Sequence, residues 1–211
     1  MGQQKTTLTS TPDNHEQNLQ NLKGLLKLAY SAELAAAYAY HGHWRSVAAA
    51  DEKAHIQQIE KEELHHRRLV GEMLAKLDAR PSKTREIWSA CLGRALGIFC
   101  HLGGWLAPMY GAGRLESRNI REYETAARYA RSCGHREFID CLLTMAEVEW
   151  EHEQYFRSRV AAHSWARRIP LWPQPPPKET IRLSFENESV LTGKVVGAAE
   201  PQSTFGLTGS G

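Results

Sequence analysis

Four stretches of this chain place apolar residues three and four positions apart, and each row is broken near its middle by a glutamate, in two of them by a glutamate and a histidine. The first row runs Leu22, Leu26, Ala29, Glu33, Ala36, Tyr40 and the second Ile56, Ile59, Glu63, His66, Val70, Met73. The third runs Met109, Ala112, Glu116, Ile120, Tyr123, Ala127 and the fourth Leu142, Met145, Glu149, His152, Phe156. Such spacing is that of one helix face turned toward a core. A carboxylate in that row is costly unless something cancels its charge. Four helices breaking the same rule at the same depth point to one bundle with a charged centre.

In the second and fourth rows a histidine follows the glutamate three residues later, as Glu63/His66 and Glu149/His152. Residues i and i+3 share a helix face, so each pair can direct one carboxylate and one imidazole at the same ion. Two pairs and two single glutamates supply six donors for two divalent cations, and four negative charges against two such ions leave the interior neutral. Carboxylate and imidazole donors suit iron, with manganese as the alternative, and open coordination positions would admit oxygen. Glu63 and Glu149 are expected to bridge the metals, with Glu33 and Glu116 terminal.

A lone Glu-x-x-His pair carries little weight, because Glu52/His55 and Glu62/His65 have the same spacing. His55 lies off the apolar row, so the first of these is expected to be inert. Glu62/His65 falls on the polar stripe with Gln58 and Glu72, which suits a solvated face or an outer layer around the metals. Tyr40 and Tyr123 read as core aromatics with a polar tip, His41 and His43 as surface histidines, and Arg67-Arg68 as a solvated face.

The periodicity and its breaks predict helices over about 22–47, 51–77, 83–103, 109–131 and 135–162, with Asp51 as an N-cap and Cys133-Gly134 as a stop. Four long helices and one short one make an all-α four-helix bundle whose short apolar helix crosses over between the second and third. The expected organisation is a flexible arm over 1–20, the bundle over 21–168, and a Pro/Gly-rich, disordered tail over 169–211, with a weak strand pattern at Ile181 to Phe185. A formal net charge of +2 gives no ground for nucleic-acid binding. Four cysteines without a C-x-x-C spacing argue against a zinc ribbon or rubredoxin knuckle. With no signal peptide visible, a cytoplasmic location is expected. The stretch Ile98 to Gly113 is too short and broken for a membrane span. Trp88, Leu92, Ile98, Phe99, Leu102, Trp105 and Leu106 nevertheless form an apolar connector. It suits packing over the bundle end, or a platform that dips into a membrane surface and admits a lipophilic molecule.

At these residues the chain resembles the demethoxyubiquinone hydroxylase family of the ferritin-like di-iron carboxylate proteins, over about residues 25–165. The resemblance rests on Glu33, Glu63-Leu64-His65-His66, Arg80-Pro81 followed by Trp88, Leu115-Glu116 with Tyr123 seven residues on, and Glu149-Trp150-Glu151-His152. The register of Arg80-Pro81 and Trp88 favours Glu63/His66 over Glu62/His65. The family carries Asp-His-Ala-Gly before its first glutamate, where this chain has Ala29-Tyr30-Ser31-Ala32, and often a His where this chain has Glu122. The resemblance implies a ferritin-like fold and two irons held by Glu33, Glu63, His66, Glu116, Glu149 and His152. It implies a monooxygenase that uses dioxygen and an external electron donor to hydroxylate a quinone-like or other lipophilic aromatic ring, peripheral to a membrane. A homodimer is compatible with it. The rival readings are a rubrerythrin- or ferritin-like peroxidase or iron oxidase, and a metal-free helical interaction protein.

Overall fold

The computed structural model describes residues 12–165 and 168–197. They form six helices: α1 (Pro12–Ser46), α2 (Ala50–Lys76), α3 (Lys83–Leu102), α4 (Leu106–Ser132), α5 (Ile139–Ala162) and α6 (Glu179–Gly197). A short 3-10 turn at Arg136–Phe138 leads into α5. No strand occurs among the described residues.

Helix ends follow local chemistry. α1 begins at Pro12, ahead of the expected start at Leu22, so residues 12–20 are helix and not a loose arm. Its first turns are polar, tied by Gln20 to Glu16 at 2.7 Å and Gln17 to Asn21 at 3.0 Å. An apolar periodicity cannot register turns held in this way. Residues 1–11 lie outside the described residues. Asp51 is not the N-cap of α2: Ala49 holds that position, and Asp51 sits in the first turn, where a negative charge suits the helix dipole. α4 stops where expected. Gly134 takes φ 82°, and the His135 amide donates to the Ala130 carbonyl at 2.8 Å, closing the last turn.

α1, α2, α4 and α5 make the bundle, and two apolar layers fill it. One layer gathers Leu22, Leu26, Val70, Met73, Ile120, Ala127, Leu142 and Met145. The other gathers Ala36, Tyr40, Ile56, Ile59, Met109, Phe156 and Val160. The glutamates and histidines of the four rows lie between them in sequence on every helix. α1 and α5 run from the first layer to the second, whereas α2 and α4 run from the second to the first. Two consecutive bundle helices are therefore parallel, and a connector must travel the length of the bundle between them. α3 is that connector, which makes this a ferritin-like all-α bundle. It lies along α1 on a glycine seam: a Cβ at Gly97 or Gly42 would collide with the facing backbone, as would one at Gly93 with Ala35. Only Gly93, Gly97 and Cys100 of α3 are buried.

The C-terminal segment departs most from expectation. Residues 181–185 are helix, not strand, because Ile181 and Phe185 are buried in the first layer while Leu183, between them, is exposed. Burial at i and i+4 selects the helical period over the alternating one. Residues 169–197, expected as part of a disordered tail, include α6, and contacts of residues 170–188 run along α4 and α5; residues 198–211 lie outside the described residues. Trp172 packs so closely on Gly113 and Phe156 that a Cβ at Gly113 would overlap its ring. Its indole donates to Glu153 at 2.6 Å, and Arg157 holds the carbonyls of Trp172 and Pro173, both at 3.1 Å. Further along, Arg182 reaches Glu147 and Asp140, each at 2.7 Å.

Trp172→Ala removes a large buried side chain and leaves Glu153 short of a donor. It is expected to lower stability by about 3–5 kcal/mol, read as a reduced urea midpoint at unchanged m-value. A loss within experimental error would show that the C-terminal segment adds nothing to the bundle.

Candidate metal centre

The apolar residues flanking each glutamate fix its depth, and the four rows face one another. All six expected side chains are buried: Glu33 and His66 at 3 % exposure, His152 at 2 %, and Glu63, Glu116 and Glu149 at 0 %. They fall into two overlapping groups, one of Glu33, Glu63, His66 and Glu149 and the other of Glu63, Glu116, Glu149 and His152. Within each group one donor atom per residue lies within 4.8 Å of the others. Glu63 and Glu149 belong to both, the geometry a bridging pair requires.

Contacts around the cluster orient its members. His66 Nδ1 meets Glu149 Oε1 at 3.0 Å, and His152 Nδ1 lies 3.4 Å from Glu63 Oε1. Tyr40 donates to Glu116, and Tyr123 to Glu33. Asn119 donates to Glu116 Oε2 at 3.0 Å and to Glu149 Oε2 at 3.4 Å, and so touches carboxylates of two helices. The spacing of apolar positions gave no sign of Asn119, although its place three residues after Glu116 could have done. Both oxygens of Glu63, Oε2 of Glu33 and Nδ1 of His152 are buried without a hydrogen-bond partner. Buried polar atoms rarely stay unpaired. Four such atoms facing one centre fit divalent cations, as does the donor chemistry.

The remaining candidates divide. Glu62 is an outer-layer group: its Oε2 meets His152 Nε2 at 2.7 Å and so fixes the imidazole with Nδ1 toward the cluster. His65 pairs with Arg68 on the surface at 2.9 Å. Glu52 and His55 take no part in the centre. Glu52 accepts from Trp105 at 2.9 Å, and His55 stacks on Tyr155. His41 is exposed and meets Glu60 at 2.8 Å. His43, expected at the surface, is buried at 2 % exposure and stacks on Tyr40 and Phe156. It lies three residues after Tyr40, on the same helix face, and the apolar row simply extends one turn further. Arg67 is not solvated either: it bonds the Tyr30 carbonyl and Glu86, fastening α2 to α1 and α3.

Beside the cluster, α1, α3 and α4 enclose an apolar cavity of about 240 Å³. Ala36, Tyr40, His43, Phe99, Pro108 and Ala112 contribute to its wall, with Leu96 and Leu115 also lining it. Tyr40 thus stands in that wall while its hydroxyl is bonded to Glu116.

The family model described as ubiquinone biosynthesis protein COQ7 matches residues 20–129, just over half of the chain. The chain belongs to the COQ7 family. No curated protein and no solved structure matches it. The COQ7 match spans Glu33, Glu63, His66 and Glu116 and ends before α5, so Glu149 and His152 rest on the convergence of the rows and on the geometry. Where this COQ7-family chain departs from the expected motif, Tyr30 and Ser31 engage α2 and α3. Tyr30 stacks under Arg67, and the Ser31 hydroxyl donates to Glu86 at 2.5 Å.

Metal-free, the cluster is electrostatically strained. Burial pushes the carboxyls of Glu33, Glu63 and Glu116 above their ordinary range, helped at Glu63 by the neighbouring Glu33 and Glu149 and at Glu116 by Glu149. Burial would raise Glu149 as well, but the His152 and His66 imidazoles hold it well below the usual range. Burial opposes the charged forms of His66 and His152, yet the surrounding carboxylates, Glu149 foremost, raise both. Groups raised on folding, acid or base, contribute stability that is lost as pH climbs through their folded values. Glu149, lowered on folding, contributes in the opposite sense, below the ordinary carboxylate range. Chelator-treated protein is therefore expected to lose stability between about pH 5 and about pH 8. Glu63→Gln, neutral at every pH, should shrink that loss in urea titrations. Metal-free stability that rose with pH over the same interval would contradict this balance of shifts.

Proposed function

We propose that this chain is a di-iron, oxygen-dependent hydroxylase of a quinone-like ring. The observation that carries the reading is the pair of overlapping four-donor groups, with four unpartnered buried atoms, set one tyrosine away from an apolar chamber. Membership of a family described by ubiquinone biosynthesis supports the substrate class. Glu33, Glu63, His66 and Glu149 would hold one metal, and Glu63, Glu116, Glu149 and His152 the other. When bound, iron would supply the reduction of dioxygen. One oxygen atom would enter a ring C–H bond and the other would leave as water, with two electrons from an external donor and two protons from solvent.

The chain's own residues supply the setting. The two apolar layers exclude water from the charged layer, so side reactions with solvent are suppressed. Glu62 and Asn119 orient His152, Glu116 and Glu149. The chamber takes a flat lipophilic ring against Tyr40, and Phe99 and Leu96 offer an apolar approach along α3. α3 also exposes a stripe of Ile87, Trp88, Leu92, Ile98, Phe99 and Leu102, with Trp88 at 72 % and Leu102 at 80 % exposure. No helix among the described residues is long and apolar enough to cross a membrane. The stripe suits contact with the cytoplasmic face of a bilayer, from which the substrate would enter.

Anaerobic loading with ferrous iron is expected to bind two ions per chain. At a hundredfold excess over Kd it should raise Tm by roughly 5–10 °C. Glu63→Ala should abolish the second ion and most of the shift. Unchanged Tm and no retained metal would favour a metal-free interaction protein. Oxygen and a chemical reductant, supplied with a demethoxyquinone, should then yield a product heavier by one oxygen atom, detected by mass spectrometry with labelled dioxygen. Equal oxygen or peroxide consumption with and without the quinone, and no labelled product, would turn the assignment to a peroxidase or iron oxidase.

A further inference from the structure

On the flank of the α1–α3 contact that faces away from the chamber, the two helices leave an open groove of about 440 Å³. Tyr38, His41 and Arg45 of α1 and Arg94, Ile98 and His101 of α3 form its walls, and the glycine seam is its floor. Spacings of three and four residues put each set on one face of its helix. Among the described residues no carboxylate lines the groove. Two guanidiniums are fixed in it. Arg45 lies 3.9 Å over the Trp44 ring, with Nη1 donating to the His41 carbonyl at 2.7 Å, and Arg94 lies 4.1 Å over the Tyr38 ring. Neither meets a carboxylate among the described residues, and Glu60 is taken up by His41 at 2.8 Å and Trp44 at 2.6 Å. The negative end of a helix dipole accounts for a base such as Arg45 or His101 in a last turn. It does not account for Arg94, which sits well inside α3. Ile98, at 63 % exposure, joins the groove to the apolar stripe of Trp88, Leu92, Phe99 and Leu102.

We propose that the α1–α3 groove binds the phosphate of an anionic membrane phospholipid, held by Arg45 and Arg94. The inference rests on the α3 stripe being the membrane-contacting face proposed above. A guanidinium stacked on an aromatic ring keeps its forked N–H donors in place, and that fork matches phosphate oxygens. A free phosphate would meet the two forks alone, whereas a lipid also lays its acyl chains against Ile98 and the stripe beyond it. An anchor on one flank of α3 sets the roll of the helix on the bilayer. The chamber wall of Leu96 and Phe99, on the other flank, is thereby turned toward the acyl region.

The test measures partition of the full chain onto vesicles of phosphatidylcholine alone and of an equal mixture with phosphatidylglycerol. Arg45→Gln/Arg94→Gln should weaken binding to the mixed vesicles about tenfold and leave binding to the neutral ones within about twofold. Lys76→Gln/Arg136→Gln removes the same charge beside Phe138, at the opposite end of the bundle, and should stay within about twofold on both. Arg45→Lys/Arg94→Lys keeps the charge without the fork and should weaken mixed-vesicle binding about threefold. All the substituted side chains are exposed, so each variant should unfold at the temperature of the parent. A lysine variant as tight as the parent, or equal losses in the two glutamine pairs, overturns the site in favour of diffuse attraction. A parent with no preference for the mixed vesicles overturns the site and leaves the stripe standing. A parent that binds neither kind overturns the stripe as a membrane face, and the inference with it. Calorimetric binding of inorganic phosphate, lost in the Arg45→Gln/Arg94→Gln variant and accompanied by no vesicle preference, assigns the groove to a soluble ligand and overturns the lipid.

Discussion

Every level of this structure answers to the cost of four carboxylates held in an apolar interior. Glu33, Glu63, Glu116 and Glu149 are shut between two hydrophobic layers, beyond the reach of water. His66, His152 and the hydroxyls of Tyr40 and Tyr123 offset part of that charge. They do not complete the balance, since both Glu63 oxygens still face the centre without a partner. A chain selected only for stability would replace such a layer with apolar residues of similar volume, which is commonly neutral or favourable. Retaining it makes sense when cations complete it.

The same layer constrains topology. Facing donors must meet at one depth on four helices, so each helix needs apolar turns on both sides of its glutamate. The second and third bundle helices must then start from the same end. That parallel pair forces a long connector, and α3 can lie close along α1 only because Gly42, Gly93 and Gly97 remove side chains from the crossing. A connector buried chiefly through glycine leaves its larger side chains outward. The exposed apolar stripe and the chamber mouth are thus consequences of how the charged layer is assembled, and both sit beside it.

What could be read from the sequence was whatever repeats with the helix period. The four rows, the six candidate donors, the crossover and the stop at Gly134 all declare themselves through spacing. Residues defined by contact across the chain did not. Trp172 lies in a proline-rich stretch that looks unstructured until Gly113 and Glu153 are known to receive it. The pattern Ile181, Leu183, Phe185 fits strand and helix equally well by composition, and only the buried pair, 181 and 185, decides. His43 next to His41 looked like a surface cluster, because local sequence cannot say that α1 remains covered for another turn, where Phe156 of α5 stacks on His43. The polar turns after Pro12 were missed for the converse reason, being held by side-chain amides that leave no apolar trace.

The site therefore has two kinds of determinant. Those that set the chemistry are periodic and lie on α1, α2, α4 and α5, where a shift of one residue would turn a donor out of the core. Those that would choose the guest lie where α3 crosses α1, in a wall of small and aromatic residues around His43 and Tyr40. Tyr40 belongs to both, because its ring faces the chamber and its hydroxyl binds Glu116. A change that moves α3 on its glycine seam would reshape the wall without disturbing the donors. The geometry accordingly allows the chamber to change while the charged layer stays the same.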